Sequence, residues 1–60
     1  MPTLEQIEFG AFRYDVDGAK ARYEAKKHKE IGSKGAREWE AIAEECERIA
    51  RELRALASGA

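Results

Sequence analysis

Covalent staples and metal ligands are scarce in this chain, which has one cysteine, one histidine and one proline, the last at position 2. A single thiol excludes an intrachain disulfide, and one His with one Cys cannot furnish the four ligands of a structural zinc site. No apolar run approaches the roughly 20 residues needed to span a bilayer. No signal-peptide stretch opens the chain, and with the lone thiol this predicts a soluble protein of a reducing, cytoplasmic compartment. No cofactor is implied. The 60 residues read as one domain, 1–60, and a domain of that size buries only about 60% of the surface its unfolded chain exposes. Disulfides and metals being excluded, association with a second copy is the remaining route to stability.

What the chain has in abundance is charge, unevenly placed. Residues 1–19 carry Arg13 against Glu5, Glu8, Asp15 and Asp17. Residues 20–37 carry Lys20, Arg22, Lys26, Lys27, Lys29, Lys34 and Arg37 against Glu24 and Glu30, while residues 38–60 are acidic again. A basic block between acidic flanks marks either an anionic partner or a solvated surface that the acidic helix partly neutralises.

The clearest pattern lies at 36–57. Trp39, Ile42, Cys46, Ile49, Leu53 and Leu56 are spaced 3, 4, 3, 4, 3, which sets all six along one stripe of an α-helix. Ala43, Ala50 and Ala57 widen that stripe. Glutamates crowd the first half and Arg48, Arg51 and Arg54 the second, complementing the helix dipole. Glu44 with Arg48 and Glu47 with Arg51 have the favourable i to i+4 order. Upstream, Thr3 and Gln6 have the spacing of a capping box, and Gly10 interrupts the segment that follows. Gly32-Ser33-Lys34-Gly35 reads as a turn, with Ser33 a candidate N-cap for the long helix.

Between these signals the apparent period is two. Phe12, Tyr14 and Val16 alternate with charged residues, and after Asp17-Gly18 so do Ala19, Ala21, Tyr23 and Ala25. An Asp-Gly dipeptide between alternating runs predicts a β-hairpin with a type I′ turn. It would pair Val16 with Ala19, Tyr14 with Ala21 and Phe12 with Tyr23 on one face, and Asp15 with Lys20 and Arg13 with Arg22 on the other. The competing reading is helical, because residues 19–30 are mostly good helix formers. On that helix Val16, Ala19 and Tyr23 lie on one side and Ala21, Ala25 and His28 on another, so no single stripe forms.

Candidate chemistry is thin. Cys46 falls within the apolar stripe, where a reduced cysteine behaves as a small hydrophobe. His28, between lysines, has no implied acid–base partner and reads as solvated linker. Asp15-Val16-Asp17-Gly18 opens like a calcium loop but lacks the later oxygen ligands. The Met-Pro opening is similar to that of the tautomerase superfamily, whose N-terminal proline serves as a base. That resemblance covers Pro2 alone, and behind Met1 the proline nitrogen is an amide. Element lengths are also similar to those of ribbon-helix-helix repressors, which implies a ribbon at 7–14 and helices at 17–31 and from 36 onward. Glu8 on such a ribbon would repel DNA phosphates.

The sequence therefore predicts an α+β, ββα domain in which a hairpin at 12–26 packs on a helix at 36–57. An all-α helical hairpin or a ribbon-helix-helix-like fold is the alternative. The expected role is non-enzymatic: a protein–protein interaction or assembly module that homodimerises through Trp39, Ile42, Cys46, Ile49, Leu53 and Leu56. The alternative is a nucleic-acid-binding regulator using Arg13, Lys20, Arg22, Lys26, Lys27, Lys29, Lys34 and Arg37.

Overall fold

The computed structural model describes residues 2–59 and consists of two antiparallel α-helices, α1 (Leu4–Glu30) and α2 (Gly35–Gly59), joined by a four-residue turn. The molecule is a rod of 44 × 14 × 13 Å.

The expected β-hairpin is absent: no strand forms among the described residues, and 12–26 lies inside α1. The ribbon of the ribbon-helix-helix alternative is absent for the same reason, whereas the helical-hairpin alternative describes what forms. Asp17-Gly18 is not a type I′ turn, since the one glycine with positive φ is Gly32 and no other described residue has positive φ. Gly10 does not interrupt α1 either. The apparent alternation has a helical origin. Ala11, Tyr14, Gly18, Ala21 and Ala25 are spaced 3, 4, 3, 4, and so are Phe9, Phe12, Val16, Ala19 and Tyr23. Two helical stripes offset by two residues interleave into a run that mimics period two. The first stripe turns to α2, with Ala11, Gly18, Ala21 and Ala25 buried, while Phe9, Phe12, Val16 and Tyr23 are exposed.

Both ends of α1 are closed by local hydrogen bonds. Thr3 Oγ1 accepts from the Gln6 N–H at 3.2 Å and Gln6 Oε1 from the Thr3 N–H at 2.8 Å, forming the predicted capping box. At the other end Gly32, at φ +73°, takes the left-handed conformation that glycine tolerates. The Gly32 N–H then donates to the Lys29 carbonyl (3.2 Å) and the Ser33 N–H to the His28 carbonyl (2.8 Å). That pair of bonds is a Schellman motif. Ser33 Oγ also accepts from the Gly35 N–H at 3.2 Å, so one residue both closes α1 and opens α2.

The seam between the helices is made of small residues. Every buried residue among those described is Ala or Gly: Ala11, Gly18, Ala21 and Ala25 from α1, Ala43 and Ala50 from α2. A methyl group built on Gly18 would lie 3.5 Å from Cys46 Cβ and 3.7 Å from the Ala43 carbonyl oxygen, so the two backbones come close here.

Candidate interaction surface

One edge of the seam is polar. Arg22 donates through Nε (2.7 Å) and an Nη (2.8 Å) to the Glu47 carboxylate, and Arg54 forms a two-point contact with Asp15. These bonds hold the Asp15 and Glu47 carboxyls below the ordinary carboxylate range and raise both guanidinium groups. The expected i to i+4 pairs on α2 give way to others: Arg48 bonds Glu45 and Glu52, and Glu47 is taken by Arg22. The hairpin pairs Asp15 with Lys20 and Arg13 with Arg22 vanish with the strands. Arg22, of the predicted anion-binding set, is thereby paired with Glu47.

The rest of that set is dispersed. Arg13 and Lys20 lie along the exposed surface of α1, while Lys26, Lys27 and Lys29 occupy its last turns, Lys34 the connecting turn and Arg37 the start of α2. Lys29, Lys34 and Arg37 share one shallow hollow with Glu40. His28, expected as solvated linker, is instead partly buried: its Nδ1 is 3.0 Å from Ser33 Oγ, its Nε2 is 3.8 Å from Glu24, and its ring stacks on Trp39 at 6.4 Å between centroids. No group of three or more His, Cys, Asp or Glu among the described residues could hold a metal ion.

The predicted α2 stripe divides. Trp39, Cys46 and Leu53 lean toward α1, meeting His28, Gly18 and Gly10 respectively, and are half-buried. Ile49 is half-buried as well, while Ile42 and Leu56 remain 46% and 63% exposed. The second apolar surface, on α1, is one that sequence reasoning assigned to a hairpin core. Phe9, Phe12 and Tyr23 are 59–68% exposed and Val16 39%. The row Phe9, Val16, Tyr23 stands two residues before the buried row Ala11, Gly18, Ala25, about 200° around the helix. The 3–4 spacing from Phe9 to Tyr23 was the signal for it. Toward the turn an open, largely apolar hollow runs from Val16, Ala19 and Tyr23 past Lys20 and Glu24 to Trp39 and Ile42.

The arrangement is a two-helix unit whose apolar side chains are displayed, consistent with an interaction surface. No helix among the described residues is long and apolar enough to cross a membrane. Comparison with protein-family models, with curated proteins and with solved structures finds no match.

Proposed function

We propose that this chain is a non-enzymatic protein–protein interaction module that assembles with copies of itself by burying its displayed apolar residues. The observation that carries the reading is an inversion of the usual core. Among the described residues the five buried hydrophobic ones are all alanines, while eight large apolar residues from Leu4 to Leu56 are 39–71% exposed. Alanine methyls withdraw little surface from water, whereas each large side chain gains about 1.5–3 kcal/mol on full burial. Beyond what the half-buried Trp39, Cys46, Ile49 and Leu53 gain within one chain, hydrophobic free energy is thus left for contact with another. Homodimerisation through the α2 stripe alone is too narrow a description, because the stripe's inward members already serve the intramolecular seam.

Analytical ultracentrifugation across a concentration series tests the reading. The weight-average mass should rise above the 6.8 kDa of one chain, and the melting temperature should rise with it. A constant single-chain mass into the hundreds of micromolar, with concentration-independent melting, would exclude self-assembly.

A second reading, nucleic-acid binding, draws on the gathering of Lys26, Lys27, Lys29, Lys34 and Arg37 at the turn end of the rod. It predicts duplex binding that weakens steeply with salt. The glutamates of α2 and the loss of Arg22 to Glu47 weigh against it. A fluorescence titration with labelled duplex DNA at two salt concentrations decides the matter.

A further inference from the structure

We infer that the self-contact joins unlike helices: the exposed stripe of α1 in one copy packs on the exposed row of α2 in another. This rests on the self-assembly reading above and specifies its geometry.

The apolar surfaces of the two helices are not equivalent, although Val16 and Tyr23 of the first and Ile42 of the second border one hollow. On α1 the exposed stripe Phe9, Phe12, Val16 and Tyr23 stands two residues before the seam row Ala11, Tyr14, Gly18 and Ala25. On α2 the row Ile42, Ile49, Leu56 stands one residue before the seam row Ala43, Ala50, Ala57, about 100° around the helix, and so faces sideways. A two-fold contact of α1 with α1 would bury one surface and leave the other in water, and a contact of α2 with α2 would do the converse. Contact of the first surface with the second buries both kinds through one repeated interface. Made once per pair of copies, this contact propagates into a ring or a filament; made twice about a two-fold axis perpendicular to the rods, it closes a dimer.

The charges beside the two surfaces select the same pairing. Arg13, Lys20 and Lys27 recur every seven residues along one flank of the α1 stripe, each three or four positions from its large apolar members. Glu38, Glu45 and Glu52 recur every seven residues along one flank of the α2 row in the same relation. An antiparallel α1–α1 contact would set the basic row against itself, and an antiparallel α2–α2 contact the acidic row against itself. With α1 of one copy parallel to α2 of the next, the basic and acidic rows fall on the same edge of the shared seam. Glu45 and Glu52 are already bonded to Arg48 in the isolated chain, but those bonds are exposed, and pairs of that kind exchange at little cost.

Two blocked variants test the geometry. Phe12→Glu/Val16→Glu disables the α1 surface, and Ile42→Glu/Leu56→Glu disables the α2 surface; all four positions are exposed, and circular dichroism checks that helicity is kept. Each variant alone should sediment as one chain, and an equimolar mixture should give a species of two chains that does not grow further, because each partner retains the one surface the other needs. Should the glutamates unfold the hairpin, a charge swap supplies the same readout. Lys20→Glu/Lys27→Glu and Glu38→Lys/Glu45→Lys should each lose assembly alone and regain it on mixing. If the wild type assembles but the α2-blocked variant still dimerises alone, or mixing restores nothing, the contact is not between α1 and α2. If the wild type never assembles, the self-assembly reading falls as well.

Discussion

The two faces of α1 are built from different alphabets. Toward α2 the helix offers Ala11, Gly18, Ala21 and Ala25; on its exposed surface it carries Phe9, Phe12, Val16 and Tyr23. The inner face needs little volume so that two backbones can approach, and the outer face carries the volume that has no partner within the chain. A helix apolar on two sides is one that expects neighbours on both. By contrast α2 has one apolar sector graded from the buried Ala43 and Ala50, through the half-buried Trp39, Cys46 and Leu53, to the exposed Ile42 and Leu56. Opposite sectors conceal amphipathicity from a periodicity reading; a single sector displays it.

The largest effect that would break this contrast is enlargement of the inner face. Ala50→Leu, at a position 1% exposed, should cost about 1–3 kcal/mol through overpacking, measured by urea denaturation at low protein concentration. The outer face should behave in the opposite way. Phe12→Ser should leave dilute, single-chain stability nearly unchanged while reducing the concentration dependence of melting. Loss of single-chain stability as large as that of Ala50→Leu would mean that the outer stripe serves the hairpin itself.

Next in size is the turn, where Gly32→Ala should destabilise by about 1 kcal/mol because a side chain resists the left-handed conformation. Gly18→Ala should act in the other direction. Its new methyl meets Cys46 and Glu47 side chains at 3.5–3.6 Å, ordinary contact distance, and removing an interior helix glycine stabilises by up to about 1 kcal/mol. A lowered melting temperature for this variant would show that the helices already touch more tightly than that spacing implies. A hairpin turn at Asp17-Gly18 would likewise have made it harmful.

The smallest expected effect concerns the polar edge. Asp15 and Glu47 have depressed pKa values in the folded chain, so the stability they supply is present above the ordinary carboxylate pKa of about 4 and is lost as pH falls through their folded values. Both are solvent-exposed, and salt should screen the effect. Comparing melting between neutral and acid pH for the wild type and for Asp15→Asn/Glu47→Gln should show a slightly flatter profile for the variant. Identical profiles would mean these contacts contribute nothing measurable.

Legibility in the sequence followed the same contrast. The long C-terminal helix was readable because its large residues keep one 3–4 spacing, and the Thr3–Gln6 box and the turn at Gly32-Ser33 were readable because capping chemistry is local. The first helix was misread because its small and large stripes interleave, and because Asp17-Gly18 has a strong local meaning that tertiary packing overrode. Gly18 lies against α2, near Cys46 and Ala43. Of the candidate surface, Ile42 and Leu56 were identifiable in advance. Phe9, Phe12, Val16 and Tyr23 were not, since three of these four residues had been given a core to fill. The ion pairs Arg22–Glu47 and Arg54–Asp15 join residues 25 and 39 positions apart, beyond the reach of any i to i+4 rule.

The alanine seam has a calorimetric consequence. Heat capacity rises on unfolding roughly in proportion to the apolar surface returned to water, and methyl groups return little. The isolated hairpin should therefore melt with a heat-capacity increment small for its length, giving a broad, shallow stability curve. Assembly should show the opposite signature, a negative heat-capacity change larger than the folding of one rod would lead one to expect. Titration calorimetry of dilution at several temperatures measures how this protein's hydrophobic thermodynamics divides between chains and within one.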